Sequence, residues 1–187
     1  SFVRYSTRKS KSGSLPHGRV WSIAEDANGA LWVGTVGGGL AVLNQTTNTF
    51  IVYDTTNTSL ASNEIMSLRA TQDGMLWIGS FGGGLYRMDP KSMQLTAYRH
   101  DPRDPSSLAD DRIRTIIEDR LGTLWIGTYD GLSILDRDDQ ATGSFRSVQD
   151  SVLTSRAVFA IVENTDQTVW VGTFGSGIRA VDHAGRV

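Results

Sequence analysis

One pentapeptide is written four times along the chain, as Leu-Trp-Val-Gly-Thr or a close variant. The copies begin at Leu31, Leu76, Leu124 and Val169, and their tryptophans lie 45, 48 and 45 residues apart. A period of about 40 to 50 residues is typical of the blades of a β-propeller. The spacing therefore predicts an all-β repeat protein before any residue chemistry is considered.

Each repeat predicts four strands, which we name a to d in chain order. Strand a is a short run rich in β-branched residues, strand b carries the tryptophan, strand c follows a glycine-rich turn, and strand d comes last. Turn signals such as Asn28-Gly29 and Asp73-Gly74 separate a from b. The predicted blade is a four-stranded antiparallel meander. The four repeats occupy residues 15–59, 60–107, 108–152 and 153–187.

The two ends of the chain complement each other. Residues 2–6 match an outer strand that has no blade before it, and the fourth repeat stops at Val187, where its own strand d should begin. Two architectures follow. Either residues 2–6 complete the last blade and close a four-bladed ring, which would leave no exposed sheet edge, or the chain is a segment of a larger propeller.

Residues that recur in every repeat are predicted to pack neighbouring blades together. The tryptophans should fill the space between blades, and the glycine two residues later should mark a close approach of the next blade. The second residue of strand a does not recur in this way, because its side chain is different in every repeat. Such a position fits either the core or a central channel. The three sets are Trp32, Trp77, Trp125 and Trp170; Gly34, Gly79, Gly127 and Gly172; and Trp21, Met66, Arg114 and Phe159.

Composition excludes several functional classes. The net charge of −2 provides no electrostatic basis for binding nucleic acid, and the absence of cysteine excludes disulfides and thiol catalysis. No stretch is apolar and long enough to cross a bilayer, so we expect no membrane contact from this segment itself. We also expect no cofactor.

The repeat resembles a known family. It combines Leu-x-x-x-x-(Val/Ile)-x-x-(Ile/Leu), an acidic turn with glycine, Leu-Trp-(Ile/Val)-Gly-(Thr/Ser), Gly-Gly-Gly-Leu and a closing Phe-x-x-Tyr, and so looks like the two-component regulator propeller repeat. The third and fourth copies depart from this pattern at Tyr129-Asp130-Gly131 and at Gln167.

The resemblance implies an extracytoplasmic sensor region of a bacterial membrane receptor, located in the periplasm. A histidine kinase or diguanylate cyclase output would lie outside this chain. It also implies a small-molecule or oligosaccharide ligand and a homodimer formed through the parent receptor.

A ligand site is predicted at the mouth of the central channel. In a meander propeller the d-to-a connections, which we call entry loops, and the b–c turns emerge on the same face. Aromatic residues of the turns could stack on sugar rings, and charged loop residues could supply hydrogen bonds. The candidates are His17, Arg19, Asn63, Glu64, Phe81, Asp111, Arg112, Tyr129, Asp130, Arg156 and Phe174.

Catalysis and metal binding are not expected. His17, His100 and His183 fall at different positions of the repeat and should not converge, and the acidic turns around Asp26 and Asp119 are explained by turn chemistry rather than by calcium. Two other functions stay open as alternatives. One is a protein-interaction scaffold, for which an exposed apolar patch would be the sign, and the other is a propeller lyase or glycosidase with carboxylates around the channel.

Overall fold

The computed structural model describes residues 3–7, 13–148, 150–154 and 156–187. These residues form four antiparallel sheets, one for each repeat. In the first two sheets the strands pair in chain order, which confirms the predicted meander. Their strands are β1 (Val20–Glu25), β2 (Leu31–Thr35), β3 (Leu40–Asn44), β4 (Thr49–Tyr53), β5 (Ile65–Ala70), β6 (Leu76–Ser80), β7 (Leu85–Met88) and β8 (Leu95–Tyr98).

The third and fourth sheets follow the same order, but the outer strand is reduced. The third sheet ends in a strand of two residues, shorter than the predicted 145–148, and the fourth sheet has three strands. Within the described ranges, no helix has the length and apolarity needed to cross a bilayer. The strands are β9 (Ile113–Glu118), β10 (Leu124–Thr128), β11 (Gly131–Leu135), β12 (Arg146–Ser147), β13 (Val158–Glu163), β14 (Val169–Thr173) and β15 (Gly177–Val181).

The hydrophobic core is divided among the joints between consecutive blades. Contacts between sheets join the first blade to the second, the second to the third, and the third to the fourth. Each joint combines the tryptophan of one blade with the first residue of strand a in the next, namely Trp32 with Ile65, Trp77 with Ile113, and Trp125 with Val158. The predicted packing role of these three tryptophans is confirmed, and Trp77 and Trp125 are fully buried.

The glycine of strand b is explained by the next blade. A Cβ atom on Gly34, Gly79 or Gly127 would lie 2.8, 2.5 or 2.7 Å from a side-chain methyl carbon of the residue that starts the following inner strand. Real Cβ atoms do not come this close to carbon, so a larger residue would push the two blades apart. The predicted close approach is thereby confirmed at the three joints.

The fourth blade presents the same residues without a neighbour. Trp170 is 38% exposed, and a Cβ on Gly172 would meet only Ala160 of its own sheet, at 3.5 Å. The prediction that Trp170 is a buried packing residue is therefore wrong for this chain, because no described residues cover the far side of its sheet. Val162 and Ile178 are exposed on the same blade.

The N-terminal segment lies against the first blade rather than the fourth. Phe2 of the predicted strand falls outside the described residues, and residues 3–7 form no strand. Tyr5 packs edge-to-face on Phe50, with ring centroids 5.5 Å apart, and its hydroxyl donates to Asn48 at 2.7 Å. These contacts with the outer part of the first blade mean that the described residues do not supply the closing strand that a four-bladed ring would need.

The turns between strands a and b show one local departure. Gly29, Gly74 and Gly122 have φ values of 79°, 84° and 84°, and Gln167 at the equivalent position has φ 68°. A residue with a Cβ atom pays a steric cost in this left-handed conformation, whereas glycine does not. The fourth blade therefore keeps the turn geometry of the other three at some cost in stability.

Candidate functional site

Entry loops and b–c turns share one face, as the sequence predicts, and they are joined by their backbones. In each blade, the residue two positions after the glycine of strand b donates its N–H to a backbone carbonyl. The acceptor is the residue directly before strand a of the same blade. The four bonds are Val36 to Arg19 at 3.0 Å, Phe81 to Glu64 at 2.9 Å, Tyr129 to Arg112 at 3.0 Å, and Phe174 to Ala157 at 2.9 Å.

The same turns are also joined to the entry loop of the next blade. Gly37 and Gly39 both donate to the carbonyl of Asn63, at 3.0 and 2.9 Å, and Gly131 donates to the carbonyl of Arg156 at 3.1 Å. Ser155, next to Arg156 in this last loop, lies outside the described residues. Because each of the first three turns is held by two successive loops, the loops of the four blades form a continuous hydrogen-bonded surface.

The side chain of the last pentapeptide residue is hydrogen-bonded to the b–c turn. Its hydroxyl donates to the carbonyl of the glycine that ends the turn, at 2.9 to 3.0 Å. The bonds are Thr35 to Gly39, Ser80 to Gly84, Thr128 to Gly131 and Thr173 to Gly177. This explains why every copy ends in threonine or serine, and why the aromatic residue that follows has a defined position.

Two predicted site residues use their side chains inside their own loops. The Asn63 amide accepts the Thr55 N–H at 2.9 Å and donates to the Thr55 hydroxyl at 3.2 Å. Asp111, at the equivalent position, accepts the His100 N–H at 2.8 Å. Both side chains close the entry loop on itself, and their role as ligand contacts stays a prediction.

Arg112 is at the mouth, and its charge is already paired. Its Nε and Nη2 donate to the two carboxylate oxygens of Asp110 at 2.9 and 2.7 Å. Burial raises the pKa of Asp110, but the hydrogen bonds from the Arg112 side chain and amide outweigh this and hold that pKa below its usual value. The same bond raises the pKa of Arg112. The guanidinium also lies over the Tyr129 ring, 5.3 Å from its centroid.

Aromatic residues from three blades form a continuous row at the mouth. Phe81 meets Tyr129 edge-to-face at 5.2 Å between centroids, Tyr129 meets Phe159 at 5.9 Å, and Phe159 meets Phe174 at 5.6 Å. The three turn aromatics predicted as stacking platforms are thus brought together, with Phe159 between two of them. Phe174 is 73% exposed, so at least one ring of the row is open to solvent.

The remaining predicted residues lie on the same face with fewer side-chain contacts. His17 Nδ1 accepts the Arg19 N–H at 3.2 Å. Arg19, Asp130 and Arg156 are exposed, and Glu64 is half-buried.

Three residues beside the mouth were not among the predicted site residues. Trp21, Arg114 and Phe159 stand at the variable position of strand a, and the structure brings them together from the first, third and fourth blades. The sequence did contain a signal for these residues, which is the variation of the side chain at this position of strand a. A position that only packs the core keeps similar side chains in every repeat. The sequence left its placement open between core and channel, and the structure places these residues beside the aromatic row.

The acidic turns are structural, as predicted. Asp26 accepts the indole N–H of Trp32 at 2.9 Å and Asp119 that of Trp125 at 2.8 Å, and each also accepts two backbone amides of its turn. Burial raises the pKa of Asp26, but these hydrogen bonds outweigh it and lower the pKa overall. Across the described ranges, no group of three or more His, Asp or Glu side chains is placed to hold a metal ion.

The three histidines contact different parts of the molecule. His17 lies in the first entry loop, and the His100 ring is 2.6 Å from the Leu108 carbonyl in the loop that enters the third blade. His183 lies between the third and fourth blades, with its Nδ1 3.1 Å from the Asp119 carboxylate. A shared acid–base site formed from these residues is therefore not present.

Sequence comparison relates the repeats to a known family. Residues 14–37, 59–82 and 107–130 match the family described as two component regulator propeller. Each match runs from just before the leucine that precedes strand a to the b–c turn, and so contains the inner strand and the tryptophan strand. No curated protein sequence matches the chain.

Solved structures with the same fold include receptor domains and an enzyme. An extracellular domain assigned to a hybrid two-component system of B. thetaiotaomicron, BT3049, is 26% identical, with a TM-score of 0.79, over 98% of this chain and 23% of its own. The extracellular domain assigned to the system BT4673 of the same organism is 24% identical, with a TM-score of 0.74, over 96% and 25%. Virginiamycin B lyase from Staphylococcus aureus is 12% identical, with a TM-score of 0.69, over 89% and 53%.

The chain spans about a quarter of the length of the two receptor domains. The likeness to the lyase, at 12% identity, concerns the fold alone. The three matched segments repeat at the period of the blades and carry the tryptophan strand that builds each joint. Three segments of the chain match the two component regulator propeller family, and its structural neighbours include extracellular domains of bacterial two-component receptors.

Proposed function

We propose that this chain is a non-catalytic, ligand-detecting part of a bacterial membrane receptor, and that it binds an oligosaccharide at the mouth of its channel. The observation that carries the proposal is the aromatic row from Phe81 to Phe174, which lies on a backbone-linked face between charged loop residues. Aromatic faces stack on the apolar faces of sugar rings, and charged side chains beside them fix orientation through hydrogen bonds.

The receptor context follows from the relatives. Extracellular domains of two-component receptors share the fold, and one of them is 26% identical to this chain. In this proposal the domain lies in the periplasm and a kinase or cyclase output lies elsewhere in the parent protein. Ligand binding shifts a receptor homodimer between two arrangements, by an amount set by the difference in affinity for the two.

Binding measurements with matched variants test the proposal. A panel of oligosaccharides is titrated calorimetrically into the wild-type protein, into Arg112→Ala and into Arg156→Ala. We expect a saccharide that binds the wild type to bind each variant about tenfold more weakly, because one charged hydrogen bond contributes roughly 1.5–3 kcal/mol. Melting curves should change little for Arg156→Ala, since this side chain is exposed.

The control variant is Arg103→Ala. Arg103 is 88% exposed, pairs with Asp101, and lies in the same connection as Arg112, nine residues earlier. Its affinity should equal that of the wild type. Unchanged affinity in both mouth variants would reject the proposed location, and the absence of binding by any saccharide would reject the carbohydrate class.

An interaction scaffold is the second candidate, because one specific surface favours it. The uncovered face of the fourth blade exposes Val162, Trp170 and Ile178, and this apolar patch supports the proposal of an interaction surface. Concentration-dependent association, abolished by Trp170→Lys and unaffected by Arg156→Ala, would support this reading over ligand detection at the mouth.

A further inference from the structure

The guanidinium of Arg114 lies beside the aromatic row without an acidic partner. Within the described part of the chain, no carboxylate is within ion-pair distance of it, and its Nε is buried with no hydrogen-bond partner. Arg112, two residues earlier, has both its Nε and Nη2 bonded to Asp110. A buried donor that lacks a partner costs roughly 1–3 kcal/mol, so this arrangement needs an explanation.

Aromatic rings surround the charge instead. The Arg114 Cζ lies 4.4 Å from the centroid of Phe159, 5.3 Å from that of Trp21 and 5.7 Å from that of Tyr129. Ring faces attract a cation but accept no in-plane hydrogen bond from the guanidinium edge. Nε is buried, but the Nη groups are not and have no hydrogen-bond partner among the described residues, so they are available to a group that these residues do not provide.

We propose that Arg114 and the rings around it form a binding site for an organic anion whose carboxylate lies next to a flat ring face. The two Nη groups of Arg114 would hold the carboxylate through two parallel N–H···O bonds, an arrangement that arginine favours. The ligand's ring would stack on Trp21 or on the exposed part of Phe159. This inference rests on the proposed function, and it names the chemical class of the ligand at the same mouth.

Position within the fold supports a ligand role over a packing role. Trp21, Arg114 and Phe159 belong to three different blades, and Trp21 is 50% exposed although it is the largest side chain in the group. The second blade carries the uncharged Met66 at this position, and that side chain is buried. A methionine therefore satisfies the packing requirement of strand a in the second blade, so packing at this position does not in itself require a charge.

A carboxylate beside a ring face occurs in aromatic acids and in the uronic acid residues of saccharides. Two matched probe pairs distinguish these sources. The first pair is benzoate and benzamide, and the second is trigalacturonate and its methyl ester. Within each pair the rings are the same, and the neutral member carries an amide or a methyl ester in place of the carboxylate.

The proteins compared are the wild type, Arg114→Met and Arg114→Lys. Binding is measured by calorimetry and by the NMR signals of the arginine Nε–H groups, at two salt concentrations. We expect an acidic probe to bind the wild type more tightly at low salt and to shift the Arg114 signal. Arg114→Met should lose at least about tenfold in affinity and Arg114→Lys less, because lysine keeps the charge without the planar fork. The neutral probes should not distinguish the variants.

The outcomes separate this inference from the proposed function. Equal binding of acidic and neutral probes, or unchanged acidic binding in Arg114→Met, overturns the anion site, and saccharide binding would then still support the proposed function. Benzoate binding through Arg114 without trigalacturonate binding supports the anion site and counts against a saccharide ligand. A lowered melting temperature in Arg114→Met, with no probe shifting the Arg114 signal, overturns the inference in favour of a purely structural cation–π contact.

Discussion

The joint between the second and third blades and the outer face of the fourth blade are built from the same residues in opposite surroundings. Trp77 and Gly79 are enclosed by Ile113 and its neighbours, whereas Trp170 is 38% exposed and Gly172 meets no other blade. The pentapeptide therefore provides half of a joint. Its tryptophan fills space and its glycine leaves space, and both properties stabilise the fold only when a following blade supplies strand a.

Replacing the tryptophans should give the largest difference in stability between the two regions. Trp77→Ala should lower the free energy of unfolding by about 3–5 kcal/mol, because it opens a cavity in a closed joint. Trp170→Ala should cost only about 1 kcal/mol, since this ring already contacts water. Urea denaturation of both variants checks the difference. Similar losses in the two would mean that the exposed face is covered in solution.

Replacing the glycines tests the space that each leaves. Gly79→Ala places a methyl group 2.5 Å from the Ile113 Cγ2 and should destabilise the protein by about 2–3 kcal/mol through overpacking. Gly172→Ala, the matched control, should stay within about 0.5 kcal/mol of the wild type because its nearest neighbour is at 3.5 Å. Thermal melts compare the two, and a tolerated alanine at 79 would show that the second and third blades can separate without loss.

Substitutions in the a–b turns should have the smallest effect on stability. They extend the comparison between blades to the backbone conformation. Gln167→Gly should raise the free energy of unfolding by about 0.5–1 kcal/mol, since glycine adopts the left-handed conformation at φ 68° without a steric cost. Gly122→Gln in the third blade is the reverse control and should lower it by a similar amount. If Gln167→Gly left denaturation unchanged, side-chain contacts of Gln167 would have to offset the strain.

The spacing of the pentapeptides predicted the strands closely because each repeat carries its own local signals. Inner strands were expected to start at Val20, Ile65, Ile113 and Val158, and the structure starts them there. The N-terminal segment was not predictable in the same way. Its Phe-x-x-Tyr pattern describes an outer strand of any blade, and the contact of Tyr5 with Phe50 depends on tertiary proximity that the pattern does not encode.

The candidate site shows the same limit at the level of single side chains. Repeat position correctly predicted which loops and turns share a face, because the meander topology determines it. It did not distinguish Arg112 from Arg114. The first is paired by Asp110 in its own loop, and the second is surrounded by rings contributed by other blades. Whether a charge is satisfied depends on neighbours that are distant in sequence.

The main-chain hydrogen bonds between entry loops and b–c turns determine which residues of this surface can be substituted. Val36, Phe81, Tyr129 and Phe174 are held at the same place by the same N–H group, although one of them is aliphatic and three are aromatic. Any residue except proline can supply that donor. The side chains at these four turn positions can therefore be exchanged without weakening the main-chain bonds beneath them, which makes the propeller a frame on which new recognition surfaces can be installed while the joints between blades stay as they are.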